Sequence, residues 1–194
     1  AKTISLAPVT DEDGSELIEA HTIRYDILAL AMGSVSNDFG VPGVKEHCLY
    51  LDSRAQADRF RTRLLNHCLR VSRAMMNDPT ANEQVRIAIV GGGATGVELA
   101  AELYNAAGAL RHYGLEVFDE SRMHVTLLEA GPRILPALPE KLAAAAKHEL
   151  GVLGVQVRPD VQVIEARPRQ LVTKTGEVIE ADLIVWAAGV KGAD

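Results

Sequence analysis

An α/β fold is expected for this chain: a parallel sheet with helices on both faces, joined by an antiparallel β-meander. Three features carry that expectation. A strand, a glycine-rich turn and a helix follow one another in VRIAIVGGGATGVELAAEL, from Val85 to Leu103. Apolar runs of strand length alternate with helical patterns through the middle of the chain, which implies parallel strands with helices packed on them. The stretch from Val155 to Trp186 then reads as several short strands in succession.

Bulk composition bounds the class. With 194 residues and a hydrophobic share of 47%, the chain can bury the core of one domain, or of one domain with an appendage. Net charge is −6 and no basic run occurs, so nucleic acid is not an expected partner. No apolar run approaches the ~20 residues that span a bilayer. Neither a basic n-region nor an apolar h-region opens the sequence. Cys48 and Cys68 are its two cysteines and form no C-x-x-C, which reads as reduced thiols in a cytoplasmic setting and excludes a dithiol redox centre.

From the N-terminus, the first element is half of an internal repeat. IRYDILALAMGS, Ile23 to Ser34, is echoed 156 residues later by IEADLIVWAAGV, Ile179 to Val190. Ile23 matches Ile179, Asp26 matches Asp182, Ala31 matches Ala187 and Gly33 matches Gly189. Each copy reads as a buried strand closed by a small-residue turn. Each also follows a hairpin signal, Asp13-Gly14 in the first and Thr175-Gly176 in the second. The shared Asp and Gly at fixed offsets favour a duplication over two apolar runs alike by chance.

Gly40-Val41-Pro42-Gly43 marks a turn or linker. A helix is expected from about Ser53 to Met76, with Ala57, Phe60, Leu64, Leu65, Leu69 and Val71 on its apolar face and Arg59, Arg61 and Arg63 opposite. A polar connection, Asp78 to Glu83, leads into the strand–glycine–helix unit. A second strand follows at His124 to Ala130, and an Ala-rich helix covers Pro139 to Leu150.

The chemistry concentrates at the glycines. Gly91, Gly93 and Gly96 occupy the positions of G-x-G-x-x-G between a strand and a helix, as a dinucleotide site requires. Gly91 makes the tight turn, Gly93 lets backbone amides reach a pyrophosphate, and Gly96 lets helix and strand pack closely. The loop and helix start, Gly91, Gly92, Gly93, Ala94, Thr95 and Gly96, form the expected phosphate cradle, with unpaired N–H groups and a positive dipole end.

An acid at the end of the next strand is expected to accept hydrogen bonds from the adenosine ribose. Glu129, with Ala130 beside it, stands there, 33 residues past Gly96. The usual spacing is about 20 residues; an extension of helix and loop through Tyr104 to Arg122 accounts for the excess. A carboxylate there repels a 2′-phosphate and favours NAD(H), while nearby Arg133 reads as a solvated loop charge. Glu98 and Glu102 lie one helical turn apart. Glu102 reads as solvated surface, and Glu98, expected in the helix's first turn, is a candidate beside the nicotinamide. Ala187-Ala188-Gly189 ends a strand at the carboxyl edge of the sheet, where ligands collect, so Ala188 and Gly189 complete the candidate site.

Other constellations drop out. There is no G-x-S-x-G, no H-E-x-x-H and no G-K-[ST] after the glycines. The six histidines show no ligand-like spacing, so no metal site is assigned. Trp186 reads as core packing.

With these residues in place, the chain resembles the type II NADH dehydrogenases, flavoprotein NADH:quinone oxidoreductases. The matching segments are YDILALAMGSVSNDFGVPGVKEH, IVGGGATGVELAAEL, VTLLEAGPRILP and ADLIVWAAGVKG, with SVSNDFGVPG the most family-specific. The resemblance implies a Rossmann-like NADH domain inserted into a FAD domain. Residues 1–40 would then end the first FAD-domain segment, 41–190 would form the NADH domain, and 191–194 would begin the return. Most of the FAD domain would lie outside this chain, as would the quinone and membrane-binding regions.

It further implies NADH at Gly91–Gly96 and Glu129, and hydride transfer to FAD with no protein acid–base or covalent catalyst. Electrons would then pass to a membrane quinone without proton pumping. The implied partners are NADH, quinone and a membrane surface on the inner face of the cell membrane; a homodimer is a separate expectation. Without its FAD-domain partners, the segment Ala1 to Asn37 is expected to be displaced or to pair with another chain through an exposed strand edge. Met32 departs from the small polar residue of the wider superfamily's A-T-G turn. Two other readings stand beside this one: a ferredoxin or nitrite reductase-type NADH-linked flavoprotein, and a non-catalytic NADH-binding redox sensor.

Overall fold

The computed structural model describes residues 2–78, 80–110, 118 and 120–192. The chain divides into two compact units, Ala1–Gly33 and Ser34–Asp194.

The first unit is two nested hairpins. Strands β1 (Thr3–Leu6) and β4 (His21–Arg24) pair antiparallel, and β2 (Val9–Thr10) pairs with β3 (Glu16–Ile18). The turn forms where Asp13-Gly14 predicts it. Asp11 Oδ1 accepts the N–H groups of Asp13 at 3.0 Å and Ser15 at 2.8 Å, and Gly14 takes φ 83°. The buried strand expected after Asp26 does not form. Residues 26–33 pair with no strand among the described residues, and Ile27 is 91% exposed. An apolar strand is stable only against neighbours that complete its hydrogen bonds and cover its faces.

The second unit is built on a four-stranded parallel sheet in the order β12-β6-β7-β8. These strands are β6 (Val85–Val90), β7 (Met123–Leu128), β8 (Gln156–Arg158) and β12 (Leu183–Trp186). Two of the three crossovers are helical: α3 (Ala94–Leu110) between β6 and β7, and α4 (Glu140–Leu153) between β7 and β8. The extension between Gly96 and Glu129 is helix as far as Leu110 and a short 3₁₀ turn at Glu120–Arg122; residues 111–117 lie outside the described residues.

Alternation within the strands sorts two cores. Ile87, Ile89, Val125, Leu127 and Val185 face α3, α4 and α2 (Arg54–Asn77). Ala88, Val90, Leu128, Ile184 and Trp186 face the opposite way. Helices therefore flank the sheet unequally. The second face is covered by the short α1 (Val44–His47) and by an antiparallel meander of β9 (Val163–Arg167), β10 (Gln170–Thr173) and β11 (Val178–Glu180). Its second turn carries Gly176 at φ 84°, as the Thr175-Gly176 signal predicts.

Helix α2 starts at a capping box: Ser53 Oγ accepts the N–H of Gln56, whose side chain returns to the Ser53 N–H. Its buried stripe is Phe60, Leu64, Cys68, Val71 and Ser72. Ala57, Leu65 and Leu69, expected on that face, are exposed. At 100° per residue, Leu65 and Leu69 are carried past the edge of the stripe that Phe60 and Leu64 define.

The segment read as a turn or linker does turn, with Gly40 at φ 69° and Gly43 at φ 76°, and it is packed into this unit. Strand β5 (Ser34–Ser36) pairs antiparallel with β13 (Val190–Gly192), and the Ala166 N–H donates to the Pro42 carbonyl at 2.9 Å. Gly43 lies so close to β9 that a Cβ would stand 2.0 Å from the Ala166 carbonyl oxygen.

Candidate functional site

Register places the site. Val90 aligns with Leu128 on one side and with Trp186 on the other, so three parallel strands end level at their carboxyl edge. Gly91, Glu129 and Ala187 follow directly. The chain runs from β6 to β7 and β8 in one direction and returns to the other side of β6 as β12, so this edge is a topological switch point, where open α/β sheets bind ligands. A cleft of about 370 Å³ opens there.

Each loop glycine answers a different constraint. Gly91 turns at φ 116°, and a Cβ would meet the Ala187 carbonyl oxygen at 2.5 Å. Gly96 packs its helix onto the strand exit, where a Cβ would stand 2.0 Å from the Gly91 carbonyl oxygen. Gly93 faces open space, with nothing within 4 Å of an added Cβ, and it lines the cleft. Gly92 is demanded by a contact the motif does not advertise: a Cβ would meet Ile134 Cγ2 at 2.8 Å and Glu129 Cβ at 3.0 Å.

Glu129 is tied to that loop. Its Oε2 accepts the N–H of Gly92 and its Oε1 that of Gly131, both at 2.7 Å. A carboxylate offers about four acceptor positions, so each oxygen keeps capacity for a ligand hydroxyl. Arg133, expected as a solvated charge, is half-buried and donates to the backbone carbonyls of Leu138 at 2.8 Å and Pro136 at 2.9 Å.

The cleft gathers Gly91, Gly93, Glu129, Ala130, Ala188 and Gly189. Gly92 and Gly96 lie buried beneath the loop, and Ala94 and Thr95 are exposed on the first turn of α3. Glu98 is not in that first turn. The helix begins at Ala94, so Glu98 opens the second turn, exposed and outside the lining of the cleft.

Sequence reasoning missed one wall. Phe39, at φ 51°, lines the cleft with its ring against Gly189, where a Cβ would meet Phe39 Cζ at 2.5 Å. Asn37 Oδ1 accepts the Phe39 N–H at 2.9 Å and Asp38 Oδ1 the Gly40 N–H at 3.0 Å. The Gly40 N–H and the Lys45 ammonium hold Asp38 below the usual carboxylate range. The signal was the Asn-Asp-Phe-Gly run itself, which favours side-chain-capped turns. Trp186, read as core, is both: 3% exposed and part of the cleft's lining.

Both thiols lie away from this chemistry. Cys48 and Cys68 are buried and unpaired, and desolvation raises each to about 12.

A parallel sheet with a glycine loop at its switch point and an acid closing the neighbouring strand defines a dinucleotide-binding α/β protein. Over residues 3–194 the chain matches the pyridine nucleotide-disulphide oxidoreductase family, and it belongs to that family. It is 48% identical, over 99% of its length, to a type II NADH:quinone oxidoreductase of Haemophilus influenzae, and spans 46% of that relative. It is 31% identical over 87% of its length to an external alternative NAD(P)H-ubiquinone oxidoreductase, B2, of Arabidopsis thaliana mitochondria, spanning 30% of it. The chain thus covers less than half of each relative. Among solved structures, NDH2 of Plasmodium falciparum in complex with NADH superposes with a TM-score of 0.71 at 20% identity, over 99% of this chain and 38% of that one. That likeness is one of fold.

Proposed function

We propose that the chain binds NADH in the cleft at the carboxyl edge of the sheet, as the nicotinamide-nucleotide domain of a type II NADH:quinone oxidoreductase. The observation that carries the reading is Glu129, held at the end of β7 with acceptor capacity to spare, beside a glycine loop open at Gly93. Residues 41–190 form the NADH domain, 1–40 end a FAD-domain segment and 191–194 begin its return.

In this reading Gly91, Gly92, Gly93, Ala94, Thr95 and Gly96 offer the pyrophosphate a concave backbone and a helix N-terminus. Glu129, flanked by Ala130, accepts the adenosine ribose hydroxyls and repels a 2′-phosphate. The small residues Ala188 and Gly189 admit the nicotinamide end, and Glu98, on α3, is the acid proposed for a role beside it. The space at Gly93, which a side chain would occupy, fits this ligand. In the whole protein, bound FAD supplies the hydride acceptor, and quinone takes the electrons. The chain's own task is to hold NADH in one orientation and to shield it.

The same reading gives the whole protein a membrane surface as partner, on the inner face of the cell membrane, and a homodimer. Peripheral attachment is supported by the quinone in the relatives' names. It is compatible with the finding that no helix among the described residues is long and apolar enough to cross a membrane.

Calorimetric titration of the chain with NADH, NADPH and FAD separately tests the reading. NADH is expected to bind, NADPH more weakly, and FAD not at all; Glu129→Ala is expected to narrow the NADH preference. Binding of FAD, or of no nucleotide, would overturn the assignment.

A further inference from the structure

A hydrogen-bonded ring closes behind Glu129. Its carboxylate takes the N–H groups of Gly92 and Gly131, and the N–H of Leu135 returns to the Gly92 carbonyl at 2.7 Å. The backbone between Gly131 and Leu135 must therefore turn sharply. It does so with Leu135 at φ 50°, a left-handed conformation uncommon for leucine. Ile134, 1% exposed, is the apolar plug of this turn and sits directly against Gly92.

One side chain gathers the outer arc of the turn. Arg133 Nη1 donates to the Leu138 carbonyl at 2.8 Å and Nη2 to the Pro136 carbonyl at 2.9 Å, with the Leu135 carbonyl at 3.5 Å from Nη1. No carboxylate pairs with it among the described residues. A guanidinium is a rigid fork whose donors point in fixed directions. Here both arms of the fork are turned onto backbone carbonyls of the chain's own loop.

We infer that Arg133 is a positioning residue: it locks the 131–138 turn, and through the turn the orientation of Glu129 and Gly92. A second consequence concerns specificity. An arginine four residues past the ribose acid is the kind of group that accommodates a 2′-phosphate when its donors are free. With its fork committed to Pro136 and Leu138, Arg133 serves the unphosphorylated dinucleotide by holding Glu129 and does not contact the phosphorylated one. The inference rests on the NADH reading above.

The test is titration with NADH and with NADPH of the parent, Arg133→Met, Arg133→Lys, Glu129→Gln and the Arg133→Met/Glu129→Gln double variant, with melting followed in parallel. A parent that binds no NADH overturns the functional reading, independently of any variant. Given a parent that binds, Arg133→Met is expected to weaken NADH about tenfold and NADPH by less than about threefold, so the preference narrows. Arg133→Lys, which keeps a charged donor but not the fork, should recover only part of the loss. In the Glu129→Gln background the arginine substitution should change NADH affinity by less than about twofold, since the coupled partner is already gone.

Two results would overturn the inference while leaving the functional reading intact. A selective loss of NADPH would make Arg133 a 2′-phosphate ligand. Equal losses of both nucleotides, or none, would reduce it to general support of the fold. Should Arg133→Met fail to fold, Arg133→Gln, which keeps a polar side chain but not the two-armed fork, replaces it, and its NADH-to-NADPH ratio decides between the same outcomes.

Discussion

The indole N–H of Trp186 donates to the backbone carbonyl of Asn37 at 2.8 Å, joining positions 149 residues apart. Trp186 ends β12 at the carboxyl edge of the sheet, and Asn37 heads the segment that carries Phe39 to the cleft. Asn37 is also fixed by its own N–H, which donates to the Gly189 carbonyl at 3.2 Å. The cleft wall is thus anchored on the strand it stands over. Trp186→Phe removes the donor and leaves a partly buried carbonyl without a partner, at an expected cost of about 1–3 kcal/mol. Urea unfolding measures it; a loss below about 0.5 kcal/mol would put the anchoring elsewhere.

The glycines of the loop separate folding from binding. A methyl group at position 96 would stand 2.0 Å from the Gly91 carbonyl oxygen, while one at position 93 would meet nothing within 4 Å. Gly96→Ala is therefore expected to destabilise the fold by about 1–3 kcal/mol, the range for overpacked sites. Gly93→Val should melt with the parent yet lose NADH binding, because its side chain fills the space offered to the pyrophosphate. Melting curves and nucleotide titrations on the two variants distinguish these effects. Unchanged NADH affinity in Gly93→Val would remove the loop from the site.

Burial raises the Cys48 and Cys68 thiols to about 12, so neither forms appreciable thiolate near neutral pH. Both are expected to resist a thiol-reactive disulfide reagent at pH 8 while the chain is folded, and to react at once in denaturant. Rapid modification of either in the folded chain would mean that its core cluster opens readily.

Legibility followed local completeness. The unit from Val85 to Leu103 carries its own strand, turn and helix start, so its architecture, the turn at Gly91 and the close packing at Gly96 were readable from spacing alone. Gly92 was not, because its constraint comes from Glu129 and Ile134, which only the folded sheet brings alongside. The strand expected after Asp26 has the right apolar pattern, but strands form by pairing, and residues 26–33 have no strand partner among the described residues. Its repeat mate β12 has β6 beside it, and is buried. Phe39 was hidden for a similar reason: where the turn at Asn37 and Asp38 leads depends on Trp186 and Gly189, far away in sequence.

Asp182 gives the fold a defined dependence on acid. Its side chain is 5% exposed at the start of β12. Oδ2 accepts the Arg86 N–H at 2.8 Å, and Oδ1 pairs with the Arg169 guanidinium. Arg86 Nε lies 3.6 Å from Oδ2, and the Asp182 N–H returns to the Arg86 carbonyl at 2.7 Å. These contacts pin β12 to β6 at the end of the sheet opposite the cleft. Burial pushes the carboxyl up, but the Arg86 N–H and the two guanidinium groups outweigh it and hold it below its usual 3.8. A carboxyl lowered on folding contributes stability that is fully present above its unfolded value and is lost as pH falls through the folded one. The parent's stability should therefore drop as pH falls below about 3.8. Asp182→Asn should cost about 2 kcal/mol at pH 7, as expected for hydrogen bonds to a charged group, and should flatten the acid limb. Other lowered carboxyls, Glu165 and Glu177 among them, remain in the variant, so the difference between the two urea profiles from pH 7 to pH 2 isolates Asp182. An acid limb equally steep in the variant would assign the titration to those other groups and mean that the Asp182 carboxyl titrates alike in the folded and unfolded chain.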